Sequence, residues 1–288
     1  MKYKKDSNID VSVVMAVFNE EENIENAIES VLNQEYSNFE LIVINDGSKD
    51  STERIVNSEY KEEDKVKIFN QKNKGLVSSL NRAIKISNSE FIARLDADDR
   101  CLPGRIKKQV SFLRKNKDVG VVGTDYIRID NIRDEKHIRG YPEKDRRIRK
   151  EMSKYIPIAH SSVMFRRRAV ESVGGYNRDL YGHEDLELWI RLAQNWKLAN
   201  IPEPLVVRHI RSDSYWHRNF GAHARNAHLA KLNARAVAEL SLPFYYYAFP
   251  IARLAYSWLP VPLKRITRRL VSDIEEQDLE ESPQITPS

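Results

Sequence analysis

Cysteine is nearly absent from this sequence of 288 residues, which contains a single one, Cys101. One cysteine excludes an internal disulfide and a zinc site built from several thiolates. The first residues, Met1–Asp6, are polar and lack the basic and apolar regions of a signal peptide. These absences predict a protein of a reducing compartment, the cytoplasm.

A long uninterrupted apolar run is also missing. The most apolar stretch, residues 242–263, has Arg253 near its middle and contains four prolines. A membrane-spanning helix needs about 20 predominantly apolar residues without a central charge, so we expect no span there. The net charge of +5 and the pI near 9.1 favour acidic partners, and the length allows one large domain with appendages.

What the sequence does contain is a regular alternation of two kinds of segment. Short β-branched runs are typical of buried parallel strands, and apolar residues at helical spacing lie between them. This alternation predicts an α/β, Rossmann-like fold with a mostly parallel central sheet flanked by helices. Residues 126–155, which mix charges of both signs, are expected to be exposed loop and helix. The expected strands are residues 11–18, 39–44, 66–69, 91–95, 119–123, 161–165 and 205–211.

Three acids, Asp96, Asp98 and Asp99, end the fourth expected strand. Open α/β folds bind ligands at this edge of the sheet, and carboxylates so close together repel one another unless a cation lies between them. Oxygen ligands suit Mg²⁺ or Mn²⁺, commonly with diphosphate oxygens in the same shell. An EF-hand calcium loop is excluded, because Cys101 and Lys107 stand where its glycine and glutamate belong. A solvated loop is the alternative.

Residues with the chemistry to bind a nucleotide base follow the first two strands. Phe18 offers a flat apolar wall, and Asp46 can accept a hydrogen bond from a pyrimidine imide. Asp-Gly is also a common turn former, but the place of Asp46 at the end of a second parallel strand favours base recognition. Lys74 either contacts the nucleotide or is a solvated lysine at the start of a helix.

Five motifs, in this order along the chain, resemble those of the family-2 nucleotide-sugar glycosyltransferases of the GT-A fold. The resemblance covers roughly residues 9 to 215. It implies an inverting, metal-dependent enzyme that transfers a sugar from a nucleoside-diphosphate sugar, here expected to be a UDP-sugar, to an acceptor hydroxyl. The motifs are AVFNE at 16–20, INDGS at 44–48, LDADD at 95–99, HSSVMFR at 160–166 and GHED at 182–185.

The resemblance also implies roles for the first three motifs. The D-x-D motif carries ribose and metal–diphosphate contacts in that family, so we expect Asp96 to accept from the ribose hydroxyls and Asp98 to bind Mn²⁺ or Mg²⁺. The first two motifs line the nucleoside pocket, which assigns substrate contacts to Val17, Phe18, Asn19, Glu20 and Asp46.

The E-D pair supplies the base in that family. Asp185 at a helix start fits the removal of the acceptor proton, with Glu184 binding hydroxyls of the acceptor or donor. An unperturbed Asp is ionised at neutral pH, so this role needs no large pKa shift. The alternative is that both acids only complement the helix dipole.

Basic residues complete the hypothesis. Arg208 and Arg211 lie within reach of a diphosphate in the family arrangement. Between them, His209 either completes the metal shell or is a hydrogen-bonded surface residue. His160 is expected near the acceptor or, equally, in a hydrogen bond at a strand end.

The sequence beyond residue 215 departs from a minimal catalytic domain. We expect a catalytic domain at 1–215, with a nucleotide-binding half at about 9–100 and an acceptor half at about 101–215. Residues 216–272 are expected to be a helical extension, and the acidic residues 273–288 to be disordered.

Within the extension, aromatic residues stand beside a basic amphipathic segment, residues 263–270. This pattern predicts peripheral contact with an anionic membrane on its cytoplasmic face, or else packing on the catalytic domain or on a second subunit. With membrane contact, the acceptor would be lipid-linked or a growing cell-surface glycan.

Two other functions fit parts of the sequence. A sugar-phosphate nucleotidyltransferase also uses a Rossmann-like sheet and a metal-binding acid, but it needs a glycine-rich basic loop after the first strand, where residues 19–22 are NEEE. A non-enzymatic protein that binds nucleotide sugars or polyanions would use the positive surface. Interleaved acids and the lack of a continuous basic aromatic groove count against this, so no nucleic-acid partner is expected.

Overall fold

The computed structural model of the protein describes residues 9–130, 135–180, 182–210 and 222–259. Its strands are β1 Val11–Val17, β2 Phe39–Asn45, β3 Val66–Asn70, β4 Phe91–Arg94, β5 Arg100–Cys101, β6 Val119–Asp130, β7 Glu135–Arg139, β8 Met164–Arg166 and β9 Lys197–Ile210. Its helices are α1 Ile24–Leu32, α2 Thr52–Glu59, α3 Leu76–Ile86, α4 Arg105–Lys115, α5 Asp145–Glu151, α6 Arg167–Ser172, α7 Glu184–Leu192, α8 Ala222–Glu239 and α9 Ala248–Trp258, with 3₁₀ turns at His160–Ser162 and Phe244–Tyr247.

The strands form one sheet in the order β3-β2-β1-β4-β8-β6-β9-β5, and β7 pairs with β6 outside this order. β1 runs parallel to β2 and β4, and β2 runs parallel to β3. β8 is antiparallel to both β4 and β6, whereas β6 and β9 are parallel. The predicted α/β fold is confirmed. Strands β1 to β4 are parallel to one another, and the later strands pair in both directions.

The central strands are apolar because helices cover both faces of the sheet. On β1, Val11, Val13 and Met15 face one core with the buried side of α1, and Val14 joins a second core with α3 on the opposite face. Successive side chains of a strand point to opposite faces, so a continuous run such as VSVVMAV is needed to fill both cores. On α1 the buried residues recur at helical spacing, at Ile24, Ala27, Ile28 and Val31.

The charged stretch 126–155 is more regular than its composition suggests. Residues 126–130 continue β6, and 135–139 form β7, so the prediction of loop and helix is wrong there. Backbone pairing explains the difference, because β6 stays in register with β9 from Tyr126 to Asp130 and needs no apolar side chains for those hydrogen bonds. The expected strand at 161–165 begins only at Met164, because residues 160–162 form a 3₁₀ turn, in which Ser162 Oγ donates to the carbonyl of Ala159 at 3.0 Å.

The C-terminal extension is helical, as predicted, over its described residues. Asn233 on α8 donates to the carbonyl of Met152 at 2.6 Å, and Arg235 pairs with Glu187 of α7 at 3.0 Å. α9 packs in turn on α8. In the part of the chain that the structure describes, each helix is too short or too polar to cross a membrane. The basic segment 263–270 and the acidic residues 273–288 lie outside the described residues.

Candidate active site

The carboxyl ends of β1, β2 and β4 bring three of the sequence motifs to one edge of the sheet. The register pairs Val17 with Asn45, and the backbone N–H of Asp46 donates to the carbonyl of Val17 at 2.8 Å. On the other side of β1, Leu95 N–H donates to the carbonyl of Val14 at 3.2 Å. Phe18, Asp46 and Asp96, which follow these neighbouring strands, therefore lie at the same edge of the sheet.

The loops that follow β1 and β2 are bonded to each other. Asn19, in the left-handed region at φ 55°, receives Lys49 N–H on its Oδ1 at 2.8 Å and donates its own N–H to Ser48 Oγ at 3.1 Å. The N–H of Glu20 donates to Thr52 Oγ1 at 2.8 Å. These bonds hold the preceding Phe18 at the edge of the sheet with 42% of its surface exposed. The ring can therefore stack on a flat ligand, whereas the side chain of Val17 is buried.

The carboxylate of Asp46 is 4% exposed and binds protein donors in the loop after β3. Its oxygens accept from Gln71 Nε2 at 2.6 Å and from the backbone N–H groups of Lys74 and Gly75 at 2.9 and 2.8 Å. A carboxylate has about four acceptor positions, so a base imide can share it. The side chain of Lys74 is exposed. Contact of either residue with a nucleotide stays a prediction.

The three acids after β4 form a compact group. Carboxylate oxygens of Asp96, Asp98 and Asp99 all lie within 4.8 Å of one another. Asp99 is buried, and this burial raises the pKa of its carboxyl to about 7, although Arg208 opposes the rise with its Nε 3.4 Å away. Oxygen donors of this number and spacing, destabilised by their own proximity, fit a divalent cation such as Mg²⁺ or Mn²⁺.

A second group of acids, made of two residues, begins α7. Glu184 and Asp185 follow His183, whose φ of 53° places it in the left-handed region. Burial, and next the charge of Asp185, raises the pKa of Glu184 to about 7; burial also raises the pKa of Asp185. Asp185 Oδ1 accepts from the N–H of Leu186 at 2.8 Å. The positive end of the helix dipole stabilises negative charge, so two adjacent acids are tolerated at this position.

His160 lies beside the acids that begin α7. Its Nε2 is 2.7 Å from the hydroxyl of Tyr176, and its Nδ1 is 3.8 Å from Glu184 Oε1. Burial lowers the pKa of His160 well below its ordinary value, and the nearby charges of Arg94 and Arg208 lower it further, so the ring is neutral at pH 7. The expected hydrogen bond exists, to Tyr176, but His160 lies in a 3₁₀ turn before β8 rather than at a strand end. A contact with the acceptor stays a prediction.

Arg94, the last residue of β4, was not among the expected site residues. Its guanidinium is buried and forms an ion pair with Asp96. It also interacts electrostatically with Asp99 and Glu184, and it lowers the pKa of Asp185. A charged residue inside the otherwise apolar segment FIAR was the available signal, because a buried arginine needs acidic partners.

The residues expected on β9 are only partly brought to this group. Arg208 pairs with Asp99 and lies 5.1 Å from the ring centroid of Tyr126. His209 is not part of the group formed by the carboxylates of Asp96, Asp98 and Asp99. Adjacent residues of a strand point to opposite faces, which accounts for the separation. The metal role of His209 stays a prediction, and Arg211 lies outside the described residues.

Comparison with known proteins agrees with this site. Residues 12–174 match the family described as glycosyl transferase family 2. The putative glycosyltransferase EpsE of Bacillus subtilis is 33% identical over 259 residues, which cover 87% of this chain and 90% of EpsE. The chain belongs to glycosyl transferase family 2, and it is a glycosyltransferase.

Solved structures agree on the fold. S. aureus TarS 1–349 in complex with UDP-GlcNAc has a TM-score of 0.65 at 18% identity, covering 86% of this chain and 72% of TarS 1–349. The mannosyltransferase PcManGT from Pyrobaculum calidifontis, in complex with GDP-Man and Mn²⁺, has a TM-score of 0.59 at 18% identity, covering 93% of this chain and 82% of PcManGT. The fold is therefore GT-A.

Proposed function

We propose that this glycosyltransferase moves a sugar, with inversion, from a nucleoside-diphosphate sugar to an acceptor hydroxyl, and that a UDP-sugar is the donor. The observation that carries the proposal is the position of Arg94. This one buried guanidinium interacts with Asp96 and Asp99 at the end of β4 and with Glu184 at the start of α7. The acids that could bind a metal and the candidate base, Asp185, are therefore all near this one guanidinium.

The donor is expected at the edge formed by β1, β2 and β4. Phe18 would stack on the base, Asp46 would accept from its imide, and Asp96 would accept from the ribose. A uracil or thymine base is favoured because a single carboxylate suits the one imide N–H that each of them carries, and UDP is the proposed nucleotide. The two solved neighbours carry UDP-GlcNAc and GDP-Man, respectively, so donors of both nucleotides belong in the test.

Asp96, Asp98 and Asp99 would hold Mn²⁺ or Mg²⁺. Bound there, the cation supplies Lewis-acid stabilisation of the charge that develops on the departing diphosphate. Arg208, already directed at Asp99, is placed to share that stabilisation. Asp98 is the proposed direct ligand, since its carboxylate lies within 4.8 Å of those of Asp96 and Asp99 in this group of acids.

Asp185 would take the proton of the acceptor hydroxyl as it attacks the anomeric carbon opposite the leaving diphosphate. Attack from the opposite side inverts the anomeric centre, and one carboxylate base is enough for it. Glu184, buried beside Asp185, would orient sugar hydroxyls. Burial raises the pKa of Asp185, so its carboxylate is a stronger base than that of an ordinary aspartate. A stronger base favours removal of the acceptor proton near neutral pH.

Two single variants test this division of roles. Release of nucleoside diphosphate from UDP-, GDP- and dTDP-sugars is first screened with Mn²⁺. We expect Asp185→Asn to slow release by about 10²–10⁴-fold while UDP binding, measured by titration calorimetry with Mn²⁺, is retained. Asp98→Ala should lose the Mn²⁺-dependent part of UDP binding. Full turnover by Asp185→Asn would remove this residue from the base role, and Mn²⁺-dependent binding by Asp98→Ala would remove Asp98 from the metal.

The acceptor is proposed to be lipid-linked or a growing glycan at a membrane surface. An exposed apolar stripe supports membrane contact: Phe244, Tyr247, Ile251, Leu254 and Trp258 recur every three or four residues and are exposed. The segment from Phe244 to Leu259 has no acidic residue, and Lys264, Arg265, Arg268 and Arg269 follow it in the sequence. Aromatic and basic residues in this combination suit the interface of an anionic membrane.

A further inference from the structure

The turn that precedes the candidate base is held by the C-terminal extension. Gly182 and His183 are both in the left-handed region, at φ 82° and 53°. For a non-glycine residue such as His183, this conformation persists only where its surroundings impose it. The carbonyl of His183 accepts the first hydrogen bond of α7, from Glu187 N–H at 3.1 Å. The direction of α7 at Glu184 and Asp185 therefore depends on this turn.

Two histidines join the turn to α8 reciprocally. The ring of His228, on α8, is hydrogen-bonded to the backbone of Gly182, and the ring of His183 is hydrogen-bonded to the backbone of Arg225. The two rings stack with centroids 5.7 Å apart and planes inclined by 29°. Burial lowers the pKa of His183 to about 4, so it is neutral at pH 7 and the stack carries no charge repulsion from it.

We propose that His228 is a positioning residue of the active site, through which α8 fixes the turn that orients Glu184 and Asp185. The inference rests on the proposed base role of Asp185, and it adds the extension to the machinery of transfer. His228 touches neither acid. It acts by holding the backbone of Gly182, and through it the left-handed His183 from which α7 starts.

The side chain of His228 allows a matched set of variants. Its Nε2 is buried without a hydrogen-bond partner, so its bond to Gly182 uses Nδ1–H. His228→Asn keeps an N–H donor near that position, and His228→Phe keeps a ring but no donor. Asn233→Ala is the control, because it removes a different α8 bond, to the carbonyl of Met152, away from the turn.

Hydrogen exchange of the full-length protein, read on the amides of Glu187 and Leu188, measures the turn without any ligand. We expect exchange about tenfold faster in His228→Phe, near the wild-type rate in His228→Asn, and unchanged in Asn233→Ala even though α8 is loosened. Wild-type exchange in His228→Phe, or equal acceleration in all three variants, would overturn the proposal.

Turnover decides whether the turn matters for transfer. With the donor found in the screen, His228→Phe should lower kcat about tenfold and leave Mn²⁺-dependent UDP binding unchanged, and His228→Asn should restore kcat. Faster exchange with unchanged kcat would overturn the positioning role. Should Asp185→Asn also keep full turnover, the base assignment has failed, whereas an inactive Asp185→Asn would place the failure in the role of His228 alone.

Discussion

Five carboxylates face two buried or half-buried guanidinium groups in the candidate site. The carboxylates are those of Asp96, Asp98, Asp99, Glu184 and Asp185, and the two cations are Arg94 and Arg208. Burial, and after it the neighbouring carboxylates, explains why the pKa values of Asp99 and Glu184 both rise to about 7. A divalent cation would reduce the excess of negative charge, so the residues themselves give a physical reason for metal binding.

A pH prediction follows for Glu184. Its pKa rises from an ordinary 4.5 to about 7 in the folded protein. Between these values the folded state binds more protons than the unfolded state, so this group lowers the free energy of unfolding as the pH rises. Glutamine has no such proton. We therefore expect the Tm of Glu184→Gln, relative to wild type, to be higher at about pH 8 than at about pH 5.

Thermal melts of both proteins in metal-free buffer at the two pH values measure this difference. Other titrating groups, including His160 and Asp99, are present in both proteins. Glu62→Gln, at an exposed glutamate, is the control and should show no pH-dependent difference. An equal Tm difference at both pH values would contradict the raised pKa of Glu184.

At the scale of elements, the loop after β3 depends on Asp46. Three N–H donors converge on this buried carboxylate, from Gln71, Lys74 and Gly75. An asparagine has only one acceptor oxygen, and its NH₂ would face donors. Because an unsatisfied buried donor costs roughly 1–3 kcal/mol, we expect Asp46→Asn to lower the free energy of unfolding by about 2 kcal/mol and to weaken UDP binding.

Urea unfolding and calorimetric titration with UDP measure the two effects separately. Asp64→Asn changes an exposed acid in the same half of the chain and should alter neither. Loss of UDP binding without any loss of stability would show that Asp46 serves only the nucleotide, and would contradict its role in holding the loop.

The elements that the sequence predicts are those whose pattern is local. β1, β2 and α1 follow from apolar spacing within a few residues. The clustering of Asp96 with Asp98 and Asp99 was also visible, since the three are nearly adjacent. β7 and the end of β6 were missed because their stability comes from pairing with distant backbone, and pairing leaves little trace in side-chain pattern.

The remaining parts of the site required the fold. Arg94 of β4 lies within electrostatic range of Glu184 of α7, although several other elements separate the two residues along the chain. The anchoring of Gly182 by His228 connects residues that belong to different parts of the chain. Such contacts follow from tertiary packing, so no spacing in a single sequence predicts them.

At the scale of the molecule, the C-terminal helices present two different faces. Tyr246, Pro250 and Ser257 are buried, and Arg253 donates to the carbonyl of Lys154 at 2.6 Å. This face packs on the rest of the chain, which was one of the two sequence hypotheses. An adjoining face carries the exposed stripe that ends in Phe244 and Trp258, at 84% and 82% exposure. Packing on the domain and contact with a membrane therefore use separate faces of one element.

A vesicle experiment tests the exposed face. Burial of a large apolar side chain contributes about 1.5–3 kcal/mol, so the double variant Phe244→Ser/Trp258→Ser should bind vesicles of phosphatidylserine and phosphatidylcholine at least about tenfold more weakly. Added salt should weaken binding of the wild type, because the basic residues after the stripe are attracted to the anionic surface.

The control is Ile138→Ser, which removes an apolar side chain of 67% exposure from β7, on an element other than the extension. It should bind vesicles as the wild type does, since exposure alone does not create a membrane-binding surface. Equal binding by the double variant and wild type would contradict membrane contact. If the double variant instead abolished a concentration-dependent dimer in sedimentation, the stripe would belong to an interface between two copies, and the argument for a membrane-surface acceptor would lose its structural support.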